Sequence, residues 1–216
     1  LGFKSWTNEP NLYVHEKLPI KIGVFVDDTL AGFHNSVEGE YRRIKAEYAK
    51  AINIGDLSIN PVGKFVGAQI TRDRQAQTIT IRQEMYIEEL AREYEGEIQK
   101  RETPHGSTQQ ERHAFDHLKP ADEKDRIDKG KYLKLMGKLV WPATLTRPDI
   151  AMNTSHLTGF VQSAGREHYE WGLWVAGYLL NTKSLGITYG GRLRIPPGLL
   201  EKPPDFDLTG GLYTFT

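Results

Sequence analysis

Residues 20–26 are dominated by β-branched and aromatic side chains, residues 29–33 resume that character, and two carboxylates, Asp27 and Asp28, stand between the runs. This pattern predicts a strand, a tight turn and a second strand, with both acids at the bend. Downstream, Val37, Tyr41, Ile44, Tyr48 and Ile52 recur at helical spacing, and Asn35 followed by Glu38 predicts a capping box at the start of that helix. Arg42, Arg43, Lys45 and Lys50 fall off its apolar stripe, as a solvated face does. Period-two patterns over residues 65–71 and 78–82 flank a polar connection at 72–77 and predict a second hairpin. Tyr86, Ile87, Leu90 and Tyr94 mark the next helix.

From residue 103 to 130 the periodicity fades into polar and charged residues, which reads as a linker with one helical turn. His113 and His117 are spaced to share a helix face, as zinc ligands do, but no third ligand stands near them and a metal site is not expected there. Helical patterning returns with Tyr132, Leu135, Met136 and Leu139, until Pro142 is expected to kink or end the helix. Pro148 suits a first helical turn and opens a helix along Ile150, Thr154, Leu157 and Val161. Another follows through Trp171, Trp174, Val175 and Tyr178, an aromatic stripe whose spacing is that of a buried face rather than a base-stacking platform. Residues 185–189 read as a short strand. Beyond them Pro196, Pro197, Pro203 and Pro204 mark an irregular segment, with a further strand start at 210–215.

Composition narrows the class. At 216 residues the chain is long enough for one or two domains with a core of their own. Its 28 basic and 28 acidic residues cancel, so no global field attracts a polyanion, and any such partner must meet a local patch. The absence of cysteine excludes a disulfide framework and thiolate metal sites, and points to an intracellular setting. No apolar run approaches the roughly 20 residues that span a bilayer, so no membrane partner is expected. A start at Leu1 without a signal-peptide pattern suggests a piece of something longer.

The candidate chemistry lies at the acidic bend. Adjacent carboxylates repel, and in a partly dry site that repulsion raises a pKa or calls for a cation. Magnesium suits the pair, because it takes oxygen ligands and is commonly held by one or two carboxylates together with substrate phosphates. Successive strand side chains point to opposite faces, so only a turn brings both acids to one site. A solvated Asp-Asp turn with no ligand is the alternative.

Other motifs recur in a fixed order. Leu1, Gly2 and Phe3, then Leu12, Tyr13 and Val14, precede Phe25, Val26, Asp27 and Asp28, with Ala31 and Gly32 following. Next come Phe65, Val66, Gly67 and Ile70, then Gln83, Tyr86, Ile87 and Leu90, then Thr103 and Pro104. Tyr132, Leu135, Gly137 and Leu139 precede a run of Thr146, Arg147, Pro148, Asp149, Ile150 and Ala151, and His168, Tyr178 and Leu179 continue the register. The ordered set resembles the reverse transcriptase region of copia-type long-terminal-repeat retrotransposon polyproteins, with its Tyr-Val-Asp-Asp box, Phe-Leu-Gly-x-x-Ile strand and Thr-Arg-Pro-Asp-Ile-Ala signature.

That resemblance implies an α+β fold: a partial right-hand polymerase palm of antiparallel hairpins with packed helices, followed by a helical thumb and connection region. The implied partition is a partial palm over 1–83, a thumb-like helix over 84–102, a polar linker over 103–130, a helical connection region with a short strand over 131–190, and a spacer over 191–216 leading to a missing ribonuclease H domain. It implies RNA-directed DNA polymerisation by two-metal nucleotidyl transfer in the parent protein, with Mg2+ held by Asp27 as principal ligand and Asp28 as its partner, and with Phe25 and Val26 near the incoming nucleotide. Template RNA or DNA, primer and deoxynucleotide are the implied partners, inside the cell in a cytoplasmic virus-like particle or in the nucleus.

The chain also departs from the family. Phe25 replaces the tyrosine and lacks its hydroxyl, and Gly177 stands where a basic residue is frequent, which weakens phosphate contact. The family's first catalytic Asp and its template-positioning segment fall before residue 1, so the metal site is expected to be incomplete and the isolated chain inactive. Lys50 and Lys64 are the nearest lysines to the place of a general acid, and the register is too loose to choose one. A non-enzymatic retrotransposon relic or a domesticated interaction module is the alternative reading.

Overall fold

A computed structural model describes residues 1–26, 28–52 and 63–190. The first 33 residues form one antiparallel sheet in sequential order: β1 (Phe3–Trp6), β2 (Glu9–His15), β3 (Ile20–Phe25) and β4 (Asp28–Phe33). Short connections suffice because each strand pairs with its neighbour in sequence. Cross-strand partners share a face, so the pairs of Ile22 with Ala31 and of Val24 with Thr29 put a largely apolar stripe on one side. Facing it is α1 (Glu38–Ile52), which approaches through Phe33 stacked on Tyr41 at 4.2 Å. Between them lies a cavity of about 510 Å³, lined by Ile22, Val24, Tyr41, Ile44 and Tyr48 among others. In this half only Ile20 and Ile44 are fully buried among the described apolar residues.

Helix α1 does not start as expected. Residues 35–37 form a 3-10 turn capped by the His34 ring, which accepts from the Ser36 amide, and the Asn35 to Glu38 capping box is not made. A short imidazole cap at residue 34 satisfies the turn's orphan amide one residue earlier than an Asn35 cap.

The second sheet has the order β5 (Lys64–Phe65), β6 (Ala68–Asp73), β7 (Thr78–Arg82) and β8 (Gly186–Gly190), all antiparallel. Its last strand arrives from more than a hundred residues away and is fixed by Thr80 bonded to Thr188 at 2.9 Å. Asp73 takes the Gln75 and Ala76 amides and so closes the connection predicted between β6 and β7.

Helices build the main core. They are α2 (Glu84–Glu93), α3 (Gln109–Asp116), α4 (Lys129–Leu145), α5 (Ala151–Thr158) and α6 (Arg166–Asn181). Ile87, Phe115, Tyr132, Leu135, Leu139 and Val175, each fully buried, pack at its centre. The aromatic stripe of α6 is part of this cluster, with Trp171 edge-on to Phe115 at 5.1 Å.

Two local expectations are corrected here. Residues 109–116 form a full helix rather than one turn, because Thr108 accepts from the Glu111 amide while Glu111 takes the Thr108 amide, a complete capping box. Helix α4 does not end at Pro142 but continues to Leu145. Proline cannot donate to the Lys138 carbonyl four residues back, and the Tyr86 hydroxyl from α2 donates to that oxygen at 3.0 Å instead. The spacer over 191–216, with its expected strand start, lies outside the described residues.

Candidate functional site

Phe25 pairs with Asp28 as the last rung of the β3–β4 ladder, and Val26 leads into the tight hairpin turn that follows. Such loops require positive φ, and Val26 has φ 52°. A β-branched residue there is strained by on the order of 1 kcal/mol. Both apolar residues of the box are open to solvent, Phe25 at 52% and Val26 at 88% of full exposure. Asp28 therefore opens β4 rather than sitting in the bend, and Asp27 lies outside the described residues.

Asp28 is half-buried and engaged. Its Oδ2 accepts the Val66 backbone N–H at 2.7 Å, a bond that joins the first hairpin to the turn between β5 and β6. In that turn Phe65 pairs with Ala68, and Val66 and Gly67 have φ 49° and 71°. A carboxylate accepting one amide keeps its second oxygen for another partner. Among the described residues Asp28 thus offers one free oxygen to a cation, and no group of three or more His, Asp or Glu is placed to hold a metal ion. One free carboxylate oxygen fits a cation whose remaining ligands are water and substrate phosphates, and falls short of a protein cage. Lys64, exposed in β5, and Lys50, in the last turn of α1, make no ion pair among the described residues.

The run from Thr146 to Ala151 has a structural role that periodicity did not disclose. Arg147, 1% exposed, donates Nε and Nη2 to the two oxygens of Asp149 and also donates to the carbonyl and hydroxyl of Thr182. Tyr178 donates to Asp149 at 2.8 Å and lies under the guanidinium at 5.3 Å. Burial pushes the Asp149 carboxyl up, but the hydrogen bonds from Arg147 and Tyr178 and the guanidinium charge outweigh it and hold the group below its ordinary value. Thr146 meanwhile donates to the buried Gln83 side chain at 2.8 Å. This network ties the start of α5 to the end of α6.

Gly177 also acquires a reason. A side chain there would overlap the Gln99 carbonyl, and the Gly177 carbonyl accepts from the Arg101 amide at 3.3 Å. A basic side chain does not fit that position in this packing. His113 and His117 stack on each other at 4.0 Å, with His117 bonded back to the His113 carbonyl.

Known proteins supply the context. The chain is 27% identical over 208 residues, 89% of its length, to the retrovirus-related Pol polyprotein from transposon TNT 1-94 of Nicotiana tabacum. It is 30% identical over 192 residues, 88% of its length, to a putative transposon Ty5-1 protein of Saccharomyces cerevisiae. The chain is homologous to retrotransposon polyproteins. It spans 15% of the tobacco polyprotein and 58% of the yeast protein, so the match covers nearly all of this chain and only part of each relative. No family model matches the chain, and no solved structure does. No helix among the described residues is long and apolar enough to cross a membrane.

Proposed function

We propose that this chain is a segment of a copia-type reverse transcriptase, contributing the acidic hairpin of a polymerase palm and the helices that follow it. The observation that carries the reading is a β3–β4 hairpin whose tip exposes Phe25 and Val26 and whose returning strand opens on Asp28, at the stretch that resembles the family's box, in a chain related along most of its length to a Pol polyprotein. In the parent protein, Asp27 and Asp28 hold the cation, while Phe25 and Val26 form the apolar surface beside the nucleotide. Magnesium, when bound, would lower the charge cost at the phosphates during attack by a primer 3′-hydroxyl. The setting is intracellular, in a cytoplasmic particle or the nucleus.

The isolated chain is proposed to lack polymerase activity, because Asp28 brings one free oxygen and the other groups a two-metal site needs are not among the described residues. Template-directed incorporation of deoxynucleotides should be absent with the purified chain. It should appear, magnesium-dependent and abolished by Asp27→Asn, when the chain is expressed joined to the segment that precedes it in an intact element. A folded but inactive joined protein would sink the reading, and incorporation by the chain alone would sink the claim of incompleteness. Binding of the chain to primer–template that weakens steeply with salt supports the polymerase reading, because phosphate contacts release counterions. A folded chain with no such binding favours a non-enzymatic relic.

A further inference from the structure

The start of β4 meets the β5–β6 turn in this fold, and among the described residues one side-chain hydrogen bond joins them. The carboxylates and rings that cap other turns act locally: Asp73 takes amides two and three residues ahead, and His15 takes the Lys17 and Leu18 amides. Asp28 does something different. Its bond to the Val66 amide crosses 38 residues of sequence and links the two sheets.

The recipient turn needs such a support. Val66 is β-branched with φ 49°, a conformation that persists only where the surroundings over-determine it. Gly67, the other residue of the turn, has φ 71° and sits beside Trp141 of α4, close enough that an added Cβ would lie 4.0 Å from the indole nitrogen. The carboxylate thus bonds one residue of the turn, and the indole lies near the other. An anionic acceptor at 2.7 Å is a short, charge-assisted hydrogen bond of the stronger kind.

We infer that Asp28 is a positioning residue, whose carboxylate clasps the Val66–Gly67 turn and fixes the tip of the β5–β6 hairpin against the start of β4. The adjacent acids then have separate tasks: Asp28 sets the geometry between the hairpins with Oδ2, and cation binding falls to Asp27 with at most the remaining Asp28 oxygen. That division rests on the proposed polymerase reading. The clasp itself does not.

Amide hydrogen exchange on the isotope-labelled full chain tests it. In the native chain the Val66 amide should exchange at least about tenfold more slowly, after correction for intrinsic rates, than the exposed Gly67 amide next to it. Asp28→Asn keeps an acceptor oxygen at the same reach and should retain that protection within about threefold, whereas Asp28→Ala should lose it while the Thr71 and Thr80 amides of the β6–β7 ladder stay protected. Rescue by Asn and not by Ala is the signature of a hydrogen-bond clasp. Equal exchange at Val66 and Gly67 in the native chain, an unchanged Ala variant, or an Asn variant as unprotected as Ala would overturn it, and the native and Asn spectra decide even if Ala does not fold. Addition of magnesium to the native chain separates the two claims. Protection at Val66 with no shift of the amides around residues 25–29 leaves the clasp standing and removes the cation reading. Shifts there without Val66 protection do the reverse.

Discussion

Replacing Tyr86 by Phe should expose how this chain accommodates a proline in the middle of a core helix. Pro142 has no N–H to give the Lys138 carbonyl, and its ring displaces that carbonyl outward. The Tyr86 hydroxyl, whose pKa burial pushes up to about 12, donates to it at 3.0 Å from the neighbouring helix. Lys138 is half-buried, so some water reaches the oxygen when the hydroxyl goes. The expected cost is therefore about 1 kcal/mol, the usual net value of one such bond, rather than the larger penalty of a fully dry carbonyl. In a Pro142→Ala background the backbone N–H of residue 142 returns to the ladder, and Tyr86→Phe should then cost close to nothing. The loss of proline packing appears in both arms of the cycle and cancels. Equilibrium urea unfolding of the four proteins gives the coupling directly. A Tyr86→Phe cost equal in both backgrounds, or no cost in either, would refute the account.

Asp149→Ala removes the partner of the buried Arg147 guanidinium and should destabilise the chain by about 3 kcal/mol in the same assay; a loss under about 0.5 kcal/mol would show that the Thr182 contacts alone suffice. Because the folded-state pKa of Asp149 is depressed, its contribution is complete above the unfolded carboxylate range and fades as pH falls through the folded value, so acid unfolding of the native chain should be steeper below about pH 4 than that of Asp149→Ala. Gly177→Ala should cost more than about 2 kcal/mol, since the new methyl meets backbone rather than a side chain that can move; near-native stability would mean that residues 99–101 do not lie where they are placed.

What the amino-acid pattern made legible is what local periodicity controls. The β3–β4 and β6–β7 hairpins and helices α2, α4 and α6 follow from alternation or from apolar residues at helical spacing, and both sheets are antiparallel, as hairpins require. Strands β1 and β2 left no such trace because most of their residues are exposed on both faces, so hydrophobic alternation had nothing to report. Helix α3 buries Phe115 alone, and its signal was the Thr108 and Glu111 pair rather than a stripe. Pro142 reads as a terminator for any local rule, since the hydroxyl that makes it tolerable comes from another helix. The positive φ of Val26 and of Val66 was equally hidden, because valine is the wrong residue for such a position, and a wrong residue in a strained position is intelligible only once its support is visible.

The same distinction bears on the candidate site. The acidic hairpin belongs to the first sheet and α1, where among the described apolar residues only Ile20 and Ile44 are buried, whereas the helices share a contiguous apolar cluster that includes Leu135, Leu139 and Leu179. Burial supplies most of the cooperative stability of a domain, so the first sheet opens at lower free energy than the helical core wherever the two are not joined. The join near the acids is narrow: Asp28 to the Val66 amide, Gly67 beside Trp141, and α4 held to α2 by Tyr86 at the Lys138 carbonyl. The two hydrogen bonds among these contacts each engage a backbone group that regular secondary structure leaves unpaired. The placement of Asp28 is therefore set less by its own strands than by the Val66–Gly67 turn that its carboxylate holds.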